Sequence, residues 1–276
     1  MQNSTVAIIG GLGKTGSRVA ELLEARGITV RAASRSTTPS FDWQDRNTWH
    51  QALEGVSAAY VTFQPDLAVA WAAEAIAAFA AAAIDAGVKH IVLLSGRGED
   101  GAVLSEARLK AAGVDYTVLR ASWFNQNFSE GAFIDGILHG KLTLPAGDVP
   151  EPFVDADDLA DAAVECLTNP RHRNRTYEMT GPRALTFRQA VAEIGLASGR
   201  HIGYETIPID AFITEMTAYG LPQEATDLLH ELFTQVLDGR NSPVKDGISQ
   251  ILGRPAKDFS DYANQTAATG IWSIRS

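Results

Sequence analysis

Three observations predict an α/β protein, a doubly wound parallel sheet of the Rossmann type with a smaller C-terminal substrate lobe. Short β-branched runs alternate with helical stretches, the runs are apolar throughout, and glycines crowd the end of the first one. Alternation implies crossover connections, and continuous apolar strands imply a sheet covered on both faces. The length, 276 residues with 45% hydrophobic, suffices for one large core.

The elements follow in order. "TVAIIG" (5–10) reads as a strand and "TGSRVAELLEARG" (15–27) as a helix; "ITVRAAS" (28–34) is the second strand. "FDWQD" suggests a short strand ending near Asp42 and Trp43, then come helix 45–55 and strand 58–63. Residues 67–87 are mostly alanine, with Trp71, Ile76, Phe79 and Ile84 at helical spacing and Glu74 and Asp85 among them. Alanine permits close helix-to-sheet packing, so this is a buried layer helix and not a membrane span. Strand 89–95, helix 102–113 and strand 115–121 complete the regular half. Beyond about residue 122 the pattern loosens, with helices at 154–167 and 186–199, a late strand at 176–181, and helices from "DAFITEMTAYG" and "EATDLLHELFTQVLDG". That half is expected to add late sheet elements and a lobe over the carboxyl edge, where open sheets bind ligands.

The loop "GGLGKTG" (10–16) offers two readings. A triphosphate P-loop needs a glycine five positions before Gly13, and Ile8 stands there, so that reading fails. Gly10, Gly13 and Gly16, or Gly11, Gly13 and Gly16, give dinucleotide spacings between a strand and a helix. Glycines let the backbone approach a pyrophosphate, and the helix N-terminus supplies free N–H groups. Leu12, Lys14 and Thr15 complete the loop. The second strand ends in "RAASRS", with Ser34, Arg35 and Ser36 and no acid before Asp42. A guanidinium flanked by hydroxyls suits a 2′-phosphate, so NADP(H) is expected over NAD(H). Asp42 and Trp43 are placed at the adenine, Thr62, Phe63, Gln64 and Pro65 along the pyrophosphate and nicotinamide ribose, and Ser95 and Gly96 beside the nicotinamide.

Other signals point away from other classes. The net charge is −10, from 23 basic and 33 acidic residues, and the one basic cluster, "RHRNR" (171–175), reads as a solvated loop. No nucleic-acid partner is expected. Cys166 is the only cysteine, so no disulfide forms within the chain, which suits the cytoplasm. The six histidines show no ligand spacing, and Asp155 with Asp158 reads as a capping box opening a helix, so no metal is expected. The start "MQNSTVAIIGG" has neither a basic flank nor a long apolar run, so no signal peptide is read.

Short-chain dehydrogenases carry Tyr-x-x-x-Lys, whose tyrosine protonates the nascent alkoxide. Four residues after the six tyrosines, 60, 116, 177, 204, 219 and 262, stand Gln64, Arg120, Gly181, Pro208, Gln223 and Thr266. None is lysine. Ser95 stands where the family's serine would, with no evident partner. An iminium loses charge on accepting hydride, and a quinone spreads it over a ring. Positioning and desolvation suffice for either. "ASWFNQNF" (121–128) then offers a pocket wall in Trp123, Phe124 and Asn127.

The chain resembles the NmrA-like, atypical short-chain dehydrogenase family over nearly its whole length. "IIGGLGKTGSRVAELL", "HIVLLSG", "DYTVLRASWFNQNF", "VDADDLADAAVECL" and "YEMTGPRALTFRQA" carry the resemblance, and "GKTG" with "FDW" and Thr48-Trp49 is most similar to the festuclavine and agroclavine dehydrogenase branch and its bacterial members. NADPH:quinone oxidoreductases of type 2 form the neighbouring branch. The resemblance implies an NADP(H)-binding domain with a C-terminal substrate lobe, and reduction of iminium ions. The family's Arg-Pro, Phe and Asn motif maps onto Arg120, Phe124 and Asn127, with Ala121 in place of the proline. Relatives often carry His or Lys in the preceding helix, where this chain has Ala102 and Ala107.

The sequence thus predicts one Rossmann-type domain over 1–276, to which about 122–276 contributes the lobe. Its function is read as NADPH-dependent hydride transfer to a small imine or iminium first and a quinone second. The alternative is a catalytically silent NADP(H) sensor acting on a protein partner. The expected ligand is a small molecule, with no membrane partner and a monomer or homodimer as the oligomeric state.

Overall fold

The structure, a computed structural model, describes residues 5–273. Its strands are β1 (Thr5–Ile9), β2 (Val30–Ala33), β3 (Val56–Val61), β4 (His90–Gly96), β5 (Asp115–Ala121), β6 (Lys141–Leu144), β7 (Arg175–Met179) and β8 (Gly203–Thr206). The helices are α1 (Lys14–Ala25), α2 (Trp49–Leu53), α3 (Ala72–Asp85), α4 (Asp100–Ala111), α5 (Ile134–Leu138), α6 (Ala156–Thr168), α7 (Phe187–Ser198), α8 (Ile209–Ala218), α9 (Gln223–Glu231), α10 (Gly247–Leu252) and α11 (Phe259–Ala268). The chain divides into two compact units. The first comprises residues up to Ala121 with Asp157–Met179 and Gly247–Arg254; the second comprises Ser122–Ala156, Thr180–Asp246 and the residues from Pro255.

The first unit is built on a six-stranded sheet ordered β2-β1-β3-β4-β5-β7. Every pairing is parallel. Ala7, Ile8 and Ile9 of β1 and Ala59, Tyr60 and Val61 of β3 have no exposed surface, as continuous apolar strands in a covered parallel sheet require. The chain leaves β1 toward β2 on one side and returns to β3 on the other. That reversal opens a crevice at the carboxyl ends. Helix α3 lays Ile76, Phe79, Ala80 and Ala83 on the sheet, and Phe79 meets Phe41, Trp43 and Trp49 at ring separations of 5.8, 5.3 and 5.9 Å. Burial of Ile76 and Phe79 contributes roughly 1.5–3 kcal/mol each, and of each alanine methyl about 0.8 kcal/mol.

Two local expectations change. Ile84, read with the packed face, is 40% exposed, because the 3.6-residue turn puts it at the edge of the face that Ile76, Phe79, Ala80 and Ala83 bury. No strand forms at "FDWQD": only bridges join Ser34 to Ser40 and Asp42 to Asp45. The aromatics that suggested a strand turn inward instead, Phe41 and Trp43 packing edge to face at 5.0 Å. Among the described residues no helix is long and apolar enough to cross a membrane.

The second unit holds the parallel pair β6-β8 and a separate aromatic core. Phe128, Phe153, Phe187 and Phe259 are buried there, with Phe153 and Phe187 at 5.0 Å. Helix α7 opens on a capping box between Thr186 and Gln189 and ends at Gly199, whose φ of 66° suits glycine. Arg183 ties the entry to α7 to the start of α11, pairing with Glu193 and Asp258 at 2.7 Å each.

Candidate functional site

The loop after β1 separates the jobs of its glycines. Gly10 has φ 82°, and a Cβ there would fall on the Thr62 hydroxyl. A Cβ on Gly16 would fall on the Gly10 carbonyl, and one on Gly11 would lie 2.7 Å from Ala32 Cβ. These three glycines are demanded by the protein's own packing. Gly13 differs. Its φ is −79°, it is the N-cap of α1 without a side-chain cap, and a Cβ there would meet only the Gly10 carbonyl at 3.2 Å. Its missing side chain leaves an uncapped helix N-terminus open on that side.

Gly10, Leu12 and Gly13 form one wall of a cavity of about 600 Å³. Ser34, Arg35 and Ser36, at the end of β2, form the next. Thr37 accepts from the Ser34 N–H at 2.7 Å and folds this turn. Arg35 is exposed and has no hydrogen-bond or ion-pair partner among the described residues. The cavity is closed by Thr62, Gln64 and Pro65 beyond β3, and by Phe41, Asp42, Trp43, Gln44 and Trp71. Trp43 is fixed by its indole N–H, which donates to the Thr62 carbonyl at 3.2 Å. Asp42 accepts from the Gln44 N–H at 3.0 Å, and its carbonyl accepts from the Trp49 indole at 2.7 Å.

The cavity therefore brings together Gly10, Leu12, Gly13, Ser34, Arg35, Ser36, Asp42, Trp43, Thr62, Gln64 and Pro65, eleven of the residues singled out from sequence. Phe41, Gln44 and Trp71 were missed. Helical spacing puts Trp71 on a helix face, and the later start of α3 leaves it at the rim. Gly11, Gly16, Lys14, Thr15, Phe63, Ser95 and Gly96 do not line it. Thr15 is buried, with its hydroxyl bonded to that of Tyr60 at 2.9 Å, and burial raises the Tyr60 phenol well above its ordinary value. Phe63 packs between Trp43 and Trp71, at 4.6 and 4.8 Å.

The carboxyl end of β4 corrects the reading of Ser95 as a residue without a partner. Its hydroxyl donates to Glu106 Oε1 at 2.8 Å, and both are buried. Arg120 grips the same carboxylate with Nε at 2.8 Å and Nη2 at 2.6 Å, and Lys110 adds a third donor group, the second cation, at 3.2 Å. Burial raises the Glu106 carboxyl, but the bonds from Arg120, Ser95 and Lys110 outweigh it and hold the group below its ordinary value. Ser95 thus faces a charged acceptor. Beside it, the Glu99 carboxylate occupies the space a side chain at Gly96 would fill.

In the second unit Trp123 is half-buried against Phe133, Phe187 and Phe233, at 6.2, 5.4 and 5.3 Å. Phe124 forms a bridge with Val154, and the Asn127 N–H donates to the Phe124 carbonyl. Asp155, read as a helix cap, accepts from Asn125, Gln126 and Lys257 at 3.3, 3.2 and 3.1 Å. In the first unit Asp158 pairs with Arg254 at 2.6 Å. The basic run is more ordered than a solvated loop: Pro170–His172 is a 3₁₀ turn and β7 begins at Arg175. Burial, with Glu165 adding, pushes the Cys166 thiol up to about 12, so it stays protonated. Among the described residues no group of three His, Cys, Asp or Glu is placed to hold a metal ion.

A parallel sheet with its cavity at the topological switch, walled by an open helix N-terminus and an exposed arginine, defines a dinucleotide-binding α/β protein. The chain belongs to the NmrA-like family, whose pattern matches residues 2–262. It is 29% identical to an NAD(P)H azoreductase of Xenophilus azovorans, over 95% of this chain and 98% of that one. It is 28% identical to the agroclavine dehydrogenase of Claviceps fusiformis, over 98% and 99%. Among solved structures it is similar to an Escherichia coli NADPH-dependent quinone oxidoreductase complexed with NADPH, with TM-score 0.75, 25% identity, and 94% and 99% of the two chains covered. These relatives place the chain in a family of NAD(P)H-dependent reductases and dehydrogenases.

Proposed function

We propose that the first-unit cavity holds NADPH and that the protein reduces a small conjugated or cationic acceptor, an imine or iminium first and a quinone second. One observation carries the reading: a guanidinium without a partner among the described residues, Arg35, lies on the wall of a cavity that also presents the uncapped N-terminus of α1. Both groups fit an anionic cofactor. The α1 N-terminus at Gly13 would hold the pyrophosphate through backbone N–H groups and the helix dipole. Arg35, with the Ser34 and Ser36 hydroxyls, would hold the 2′-phosphate. Trp43 and Asp42 would flank the adenine, and Thr62, Gln64 and Pro65 would lie along the nicotinamide riboside.

Bound NADPH supplies a hydride. The chain's own groups supply binding, orientation and exclusion of water. No Tyr-x-x-x-Lys pair stands in the sequence, and the Ser95 proton is committed to Glu106. This supports an acceptor that needs no strong acid beside it. From the second unit, Trp123, Phe124 and Asn127 are the side chains proposed for the acceptor.

The test is loss of reduced-nicotinamide absorbance when the protein meets NADPH with a cyclic imine, a benzoquinone or a simple ketone. Turnover of the imine or quinone but not the ketone is expected. Efficient ketone turnover would contradict the absence of an acid and direct attention to Tyr116 and Ser95. Binding without turnover of any acceptor would favour the sensor.

A further inference from the structure

One buried carboxylate at the sheet's carboxyl edge has no role in that reading. Glu99 lies between β4 and α4 and is 7% exposed. A Cβ built on Gly96, the last residue of β4, would fall inside the Glu99 carboxylate, within contact of both oxygens. The acid therefore rests on the end of the strand, in the space a side chain would take. Arg97, between them, pairs with Glu178 of β7 at 3.2 Å. Burying a carboxylate is costly, and buried charges gather at functional sites.

The topology says what comes to this edge. The cavity walls lie at the ends of β2, β1 and β3, and the sheet continues from β3 to β4. A dinucleotide with its 2′-phosphate at Arg35 and its pyrophosphate at Gly13 runs on across β3 toward β4. Neighbouring strands are about 4.8 Å apart, so the end of β4 lies three spacings, about 14 Å, from the end of β2. Gly96 lies beyond the cavity wall, and an extended ligand that crosses β3 would carry its nicotinamide end to it.

We propose that Glu99 is the counter-charge to the oxidised nicotinamide ring and sets the redox preference of the site. The proposal rests on the reading of the cavity as an NADP(H) site. The ring is neutral when reduced and positive when oxidised. A carboxylate within about 4–6 Å favours the charged form of its neighbour by one to three tenfold steps, and burial strengthens its field. Glu99 therefore tightens NADP⁺ relative to NADPH, which also favours departure of the hydride.

Calorimetric titration of the full chain with NADP⁺ and with NADPH gives both dissociation constants, with no acceptor present. Glu99→Gln keeps the shape and removes the charge. It is expected to raise the ratio Kd(NADP⁺)/Kd(NADPH) by about tenfold or more, through weaker NADP⁺ binding. Gly96→Ala displaces the carboxylate and moves the ratio the same way, so it carries the test if Glu99→Gln fails to fold. Asp115→Asn removes a half-exposed carboxylate at the opposite, amino end of β5 and leaves the ratio within about twofold. An unchanged ratio in a Glu99→Gln protein that binds both forms overturns the assignment and leaves the NADP(H) site standing. Failure of the wild type to bind either form overturns the reading of the cavity, and the assignment with it.

Discussion

The Ser95 hydroxyl donates to Glu106 across 2.8 Å, and this bond fixes the polarity of the end of β4. Arg120 and Lys110 can only donate, so Glu106 is the shared acceptor of the cluster. Glu106→Gln leaves one acceptor oxygen for three donor groups. Arg120 and Lys110 are 28% and 32% exposed, so water relieves part of the loss. A cost of about 1–3 kcal/mol is expected, against about 1 kcal/mol for Ser95→Ala. Urea unfolding of the two variants checks the order. Equal costs would mean that the carboxylate is not the hub.

The loop glycines make an opposed pair of predictions. Gly16→Ala drives a Cβ into the Gly10 carbonyl, a backbone atom, and is expected to cost about 1–3 kcal/mol or more. Gly13→Ala meets only that carbonyl at 3.2 Å and should leave stability within about 1 kcal/mol. Yet it crowds the helix N-terminus and should weaken NADPH binding by about tenfold or more. Thermal unfolding and cofactor titration on the same samples separate the two effects.

Acid should loosen the amino end of the sheet. His90 Nε2 lies 2.9 Å from the Thr117 hydroxyl, which itself donates to the His172 carbonyl at 2.8 Å. Thr117 must therefore accept from His90, whose Nε2 carries the proton. Burial first, then Arg173, with Asp115 opposing and His172 adding, push His90 down to about 4. Its folded pKa lies below its unfolded value, so the unfolded chain binds more protons between about pH 6.5 and 4. The contribution of neutral His90 is full above that window and is lost as pH falls through it, on the order of 3 kcal/mol. Urea midpoints at pH 7 and pH 5 should show the fall, and His90→Asn should flatten it. An equally steep fall in the variant would place the effect elsewhere.

How far the sequence was legible follows from the length and polarity of each signal. Five strands of the first unit are apolar runs of four to seven residues, and they stand out. β6 and β8 are four residues each, partly exposed and polar, and carry too little alternation to be seen. The "FDWQD" aromatics look like a strand, yet they serve α3 as packing. The places of Gly13 and Arg35 on the cavity wall follow from local spacing alone. Those of Glu106 and Glu99 do not. In "RGEDGAVLSEARLK" they look like surface charges, and only the facing residues Ser95, Arg120 and Gly96 reveal them as inward.

Arg35→Ala bears most directly on the central claim, that the end of β2 clamps a 2′-phosphate. Calorimetric dissociation constants for NADPH and NADH should be taken on wild type and variant. The account predicts that the wild type prefers NADPH. It predicts that the variant loses about 1.5–3 kcal/mol of NADPH binding, roughly tenfold or more, with NADH affinity little changed. An unchanged NADPH/NADH preference would remove Arg35 from the site and contradict the account.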